Sequence, residues 1–190
     1  FAAGFFNGML DDYLNGQIKL SVGHIQIMHP EFEDLYNPKY TVENADSIMH
    51  TLLEKPFVED VSGKSIATGL AQSARNSFGV TIWGVDVQND SSASLTAVEE
   101  YIAKGAMLDT EIRNQILVGD KLADRLGLEE KSRMVLSFQD TDGEITAGAF
   151  RVKGIYDTID SRVDDSCVVV NREDLNTLLG KQDLIHNIRV

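Results

Sequence analysis

An internal disulfide is closed to this chain, because Cys167 has no second cysteine to pair with, and nothing resembles the paired cysteines of a zinc ribbon. Cys167 runs into Val168, Val169 and Val170, the setting of a small buried strand residue rather than a reactive thiol. Its solitude does not fix the compartment, since an oxidising one tolerates proteins without disulfides. Long apolar runs are also missing: no stretch nears the roughly 20 residues that span a bilayer, and no basic-then-apolar leader is present. Basic residues are scarce, 17 against 30 acidic ones, for a formal charge of -13. That balance argues against nucleic acid as a partner and against broad adhesion to an anionic membrane, because both affinities come from clustered Lys and Arg neutralising phosphates. At 190 residues and 43% hydrophobic, the chain can still bury one sizeable core or two smaller ones.

Signatures of catalysis are absent as well. There is no Gly-x-Ser-x-Gly elbow, and His24, His29, His50 and His186 have no motif joining them to a Ser or Cys. Ser62-Gly63-Lys64-Ser65 has the ending of a phosphate-binding loop, but Val58 stands where the first glycine belongs and SIATGLA after it reads as extended, so a hairpin turn is expected. In the stretch GHIQIMHP, a strand would put Ile25 and Ile27 on one face with His29, and His24 on the other with Gln26 and Met28. Two imidazoles on opposite faces cannot close on one metal, and no Cys, Asp or Glu stands at a ligand's spacing beside either. Acids crowd a turn (Asp140, Asp142, Glu144) and a loop (Asp157, Asp160, Asp164, Asp165). An EF-hand begun at Asp140 puts Gly143 at the fourth position instead of the sixth and lacks its closing Glu, so both groups read as solvated turns. No catalytic, cofactor-binding or metal-ligating residue is assigned, no cofactor is expected, and the chain does not read as an enzyme.

What is present is a series of short periodic segments. Phe1, Phe5, Met9 and Tyr13 recur every fourth residue beside Leu10, an amphipathic helix that Gly16 can end. The chain starts without Met and stops in strand-like HNIRV, so both ends read as cuts. GHIQIMHP predicts a strand ended by Pro30, with Ile25 and Ile27 buried against a helix of residues 45 to 55. EFEDLYNPKY reads as a connector turning at Asn37-Pro38. TVENADSIMHTLLEKP predicts that helix, capped by Asn44, with Ile48, Leu52 and Leu53 as its stripe, His50 on the surface and Pro56 as the stop. Strands follow over 58–87, with a bend or bulge at Gly84. NDSSASLTAVEEYIAKGAMLD reads as a polar linker, then a short helix with Leu95, Val98, Tyr101 and Ile102 on one side, and marks a lobe boundary. It also holds a formal glycosylation acceptor, Asn89-Asp90-Ser91.

Beyond it the pattern is regular. NQILVG predicts a strand, DKLADRLG a helix closed by Gly127, and SRMVLSF a strand. Thr141-Asp142-Gly143 turns the chain into EITAGAFRVKGIY. SCVVV predicts a buried strand, Asn171 caps the helix REDLNTLLG closed by Gly180, and HNIRV begins one more strand. The fold class expected is α+β.

In this order, GFFNGMLDDYLNG, GHIQIMHPEF, WGVDV, the run NQILVGDKLADRLGLEEKSRMVLSFQDTDGEITAGAFRVKGIYDT, and CVVVNREDLNTLLG resemble the large extracytoplasmic domain of FtsX-like ABC transporter permeases. The type is the MacB periplasmic core, with its nearest flavour in the LolC and LolE permeases. The resemblance covers nearly the whole chain, and its most specific parts are Gly23 to Pro30 and Ile116 to Thr158. It implies two lobes, a mixed α/β porter lobe (residues 22–97 resumed by 186–190) interrupted by a mainly β sabre lobe (98–185), with residues 1–21 continuing a first membrane helix. It also implies a mechanical role at the outer face of the inner membrane. A separate cytoplasmic ATPase subunit would bind and hydrolyse ATP, a second permease copy or paralogue would complete a dimer, and the cargo would be lipoprotein, lipid, peptide or small molecule. In LolC-like relatives a sabre hairpin grips a periplasmic carrier or substrate protein. The matching tip here is Gln139, Asp140, Thr141, Asp142, Gly143 and Glu144, shorter and more acidic than a gripping arm needs. A rival reading is a free-standing secreted module that binds a ligand or another protein.

Overall fold

The computed structural model describes residues 25–87 and 98–190. The periodic segment of Phe1 to Tyr13, His24 and the linker around Asn89 lie outside the described residues. In chain order the elements are β1 (Gln26–Met28), α1 (Pro30–Leu35), α2 (Ala45–Leu53), β2 (Ser62–Gln72), β3 (Ser77–Val85), β4 (Ile102–Gly105) and β5 (Gln115–Gly119). There follow α3 (Asp120–Leu126), β6 (Arg133–Gln139), β7 (Ile145–Tyr156), α4 (Ser161–Ser166), β8 (Cys167–Asn171), α5 (Arg172–Leu178) and β9 (Asn187–Arg189).

Six of the strands close into a barrel. β2 pairs with β3, β3 with β8, β8 with β5, β5 with β7, β7 with β6, and β6 returns to β2. Period-two alternation points one side of every strand inward, giving Ala67 and Ala71, Val80 and Ile82, Val168 and Val170, Ile116 and Val118, Phe150 and Val152, and Met134, Leu136 and Phe138. Leu122 and Leu126 of α3, Leu175 of α5 and Leu179 just after it join the same core, and each fully buried Leu or Ile contributes about 1.5–3 kcal/mol. α3 ends as its sequence predicts, with Gly127 left-handed at φ 65°, and Asn171 caps α5 by accepting the N–H of Glu173.

A second cluster coats part of the barrel's outside. Leu117 and Val169, whose strand neighbours point inward, meet Val98, Leu108, Tyr156 and Val163 there. Strands buried on both faces explain why NQILVG and SCVVV read as apolar runs without alternation. Cys167 belongs to this layer, 7% exposed, and burial pushes its thiol up to about 11.

A smaller unit is built on β1, β9 and the first three residues of β2, with α2 packed on it. β2 therefore serves both units, pairing with β9 through Lys64 and with β3 from Ser65 onward. Residues 65–85 pair into the barrel with strands of the later chain, and the change of partner falls at Lys64 and Ser65.

Several local expectations are corrected. Ile27 packs with Ile48, Met49, Leu52 and Ile188, but Ile25 is 59% exposed, because β1 starts only at Gln26 and Ile25 pairs by backbone alone with Val190. Leu53 is exposed, and Met49 takes its place in the apolar stripe. Asn44 sits left-handed at φ 53° and makes no side-chain cap. Pro30 begins α1 instead of a connector, since its fixed φ suits a first helical position and His29 Nδ1 accepts the N–H of Glu31. Ser62–Ser65 lie inside β2, and the hairpin turn is at Ser73 to Asn76. Ile102 opens a strand against β7 instead of continuing a helix. Gly84 marks no bulge, for the β3–β8 register runs unbroken through it from Trp83 to Val85. A Cβ there would lie 2.9 Å from Leu175 and 3.2 Å from the Arg172 backbone, so the glycine lets α5 lie against the barrel.

Candidate functional site

The predicted tip, Gln139 to Glu144, is a tight β6–β7 turn. Asp140 organises it: its Oδ1 accepts the N–H groups of Asp142 and Glu144, each at 2.9 Å, and its own N–H donates to the Glu144 carbonyl. Gly143 supplies the positive φ of 87° that closes the turn. Thr141 then ties the turn down, donating from its N–H and its hydroxyl to the carbonyl of Leu179 at 3.2 and 3.1 Å. The six residues are therefore together at one turn. Gln139, Asp142, Gly143 and Glu144 are exposed, Asp140 and Thr141 half-buried, and Ile145 beside them is 81% exposed. The turn hugs the end of α5 instead of projecting as an arm.

The second acidic group is not a solvated loop throughout. Asp160 caps α4, and Asp164 is 1% exposed, its Oδ1 accepting the N–H and hydroxyl of Thr158 at 2.9 and 2.8 Å. Burial pushes the Asp164 carboxyl above its ordinary range. Among the described residues no group of three His, Cys, Asp or Glu is placed to hold a metal ion.

A polar cleft of about 470 Å³ opens beside the start of α5. Its two arginines are engaged: Arg172 with Asp86 at 2.7 Å, and Arg113 with Asp174 behind the cleft at 2.9 Å, whose other oxygen accepts the Asn114 N–H at 2.7 Å. Such a rim orients loops more than it selects a ligand.

Sequence reading missed the joint between the two units. His186, fully buried, accepts the N–H of Ile66 at Nδ1 (3.0 Å) and lies with Nε2 2.9 Å from the Pro38 carbonyl, its ring tilted on Phe32. Ser65 Oγ lies against Asn176 Oδ1 (2.7 Å) and the Leu184 carbonyl, while Asn176 Nδ2 donates to that same carbonyl. β2, the loop before α2, α5 and the approach to β9 are thus bound by polar contacts in a dry setting, where each bond is stronger and each loss more costly. The available signal was polar residues embedded in strand-like sequence, Ser65 and the histidine of HNIRV.

No protein-family model matches the sequence, and no curated protein matches it. Solved structures do. The periplasmic region of MacB from Actinobacillus actinomycetemcomitans matches over 87% of this chain with a TM-score of 0.53 at 12% identity, and the chain spans 64% of that region's length. The extracellular domain of the noncanonic ABC-type transporter YknZ from Gram-positive bacteria matches over 86% of this chain with a TM-score of 0.56 at 15% identity, 79% of that domain being covered. At such identities the likeness is one of fold: this chain has the mixed α/β architecture of those extracytoplasmic domains. Among the described residues no helix is long and apolar enough to cross a membrane.

Proposed function

We propose that this chain is the extracytoplasmic domain of an ABC transporter permease, passing ATP-driven movement from a separate cytoplasmic ATPase to the export or release of a substrate at the outer face of the membrane. The observation that carries the reading is the fold shared with two transporter domains over 86% and 87% of the chain. The order of sequence segments that resembles FtsX-like permeases supports it independently. In this reading the chain binds no nucleotide and makes no bond of its own. It acts with a second permease copy or paralogue, and the LolC and LolE flavour remains within the proposal.

The geometry suits a lever. β2 runs unbroken from the β1–β9 unit into the barrel, and the Ser65 and His186 contacts lock the two at that crossing. A displacement entering near Gln26 would reach the barrel along a rigid strand, the kind of rigid-body movement by which small shifts become domain motion. We assign the smaller unit the porter role and the barrel the sabre role. The tip at Gln139 to Glu144 is the contact offered to a carrier or substrate protein. Being short and tied to Leu179, it would serve as an acidic docking point instead of a gripping arm.

Fractionation of the source cells tests the reading. Antibody against this chain should find it only with the membranes, open to protease added outside intact spheroplasts, and co-purifying in detergent with an ATP-binding subunit. Recovery as a free secreted protein would overturn the proposal.

A further inference from the structure

Where the barrel's outer wall meets α1 and β1 lies a cavity of about 320 Å³, within the size range of small-molecule sites. Met28, Tyr36, Ile66 and Trp83 form its apolar side, and Gln26, Thr81, Asn187 and Lys64 its polar side. Lys64 is 5% exposed, and its ammonium stands 4.8 Å from the centre of the Trp83 ring. It is the one charged residue among those lining the cavity, in a chain whose formal charge is -13. A ligand cation is disfavoured, because Lys64 already occupies the indole face and would repel it. An anion gains from an ammonium with three N–H donors, which can take a carboxylate beside the contacts it has. The side formed by Met28, Ile66 and Trp83 suits an apolar body behind that charge, while Gln26, Thr81 and Asn187 stand on the polar side with Lys64.

We propose that this cavity binds a small amphipathic carboxylate, its carboxylate on Lys64 and its alkyl or aryl body along Trp83, Ile66 and Met28. The site goes beyond the transport reading and stands without it, since it concerns what the folded chain binds. Trp83 is the sole tryptophan, so indole fluorescence reports on this cavity alone.

The experiment titrates the intact chain with three probes that differ only in their heads: ω-bromoundecanoate, its methyl ester, and the corresponding ω-bromoalkyl trimethylammonium, all below micelle formation. Bromine quenches indole on contact. Saturable quenching is expected from the carboxylate, with the ester and the cation binding weaker by roughly tenfold or more, the scale of one charge-assisted bond. Lys64→Met should bring the carboxylate down to the ester, and Lys64→Arg should retain its binding. Equal or unsaturable quenching by the three probes on the native chain would overturn the proposal, as would carboxylate binding unchanged in Lys64→Met.

Discussion

The backbone N–H of Ile66 donates to the ring Nδ1 of His186, 3.0 Å away and 120 residues along the chain. Because Nε2 faces the Pro38 carbonyl and must donate to it, the ring is neutral, with its proton on Nε2. A second proton would set one N–H against another. The contact is therefore a pH-dependent fastening between the smaller unit and the barrel.

Burial holds the His186 imidazole below its ordinary value of 6.5. Unfolded, the ring takes a proton near that value, whereas folded it resists until lower pH, so the unfolded state binds more protons in between. Stability from this residue is complete above about pH 6.5 and declines as pH falls from there toward the folded value. Urea unfolding followed across that window should show the decline. His186→Phe should remove that part of the slope and cost about 2–4 kcal/mol at neutral pH, by stranding the Ile66 N–H and the Pro38 carbonyl.

Gly84→Ala should destabilise the chain by about 1–3 kcal/mol, the usual cost of crowding a filled core. The added methyl meets Leu175 and the backbone of Arg172, so α5 must shift. Thermal unfolding measures it, and a neutral substitution would mean that α5 lies farther from β3 than described.

At Asp164 two substitutions separate charge from hydrogen bonding. Asp164→Asn keeps an oxygen for the Thr158 N–H and hydroxyl and removes a desolvated charge, so stability at neutral pH should stay within about 1 kcal/mol. Asp164→Leu strands both donors and should cost about 2–3 kcal/mol. Chemical denaturation of the pair decides between them.

For the tip, Asp140→Ala should speed hydrogen exchange at the Asp142 and Glu144 amides and cost about 0.5–1.5 kcal/mol, since one carboxylate oxygen holds both. Asp142→Lys, on the exposed side of the same turn, should leave stability within about 0.5 kcal/mol. Its effect would be on docking.

The barrel was legible in its parts. Strong alternation in SRMVLSF, the Asp-Gly turn and the caps at Gly127 and Asn171 are local chemistry, and they place β6, β7, α3 and α5. Closure was not legible, because it depends on β6 returning to β2, a pairing between residues 69–72 and 135–138 that no local pattern encodes. The same distance effect hid the change of partner inside β2 and the role of His186, whose partners Pro38 and Ile66 are far away in sequence. Local competition explains the smaller misses. Pro30 ended the strand as expected but also opened a helix where a connector was expected, and Gly84 answered to a helix crossing over it instead of a bulge. The tip's six residues were grouped correctly as one turn, while its tie to Leu179 could be known only from the folded chain.

The central claim is that this domain moves as a lever when nucleotide is bound elsewhere. Cysteines introduced at Ser47 and Asp142 can be spin-labelled in preference to Cys167, which is buried with its thiol pushed up to about 11, once exposed cysteines outside these 190 residues are replaced. In the full-length protein, reconstituted in bilayers with its ATPase, the distance from Ser47 to Asp142 should stay constant between nucleotide-free and vanadate-trapped states. The distance from Asp142 to labelled lipid headgroups should change between those states. A tip whose height above the membrane is the same in both would contradict the account.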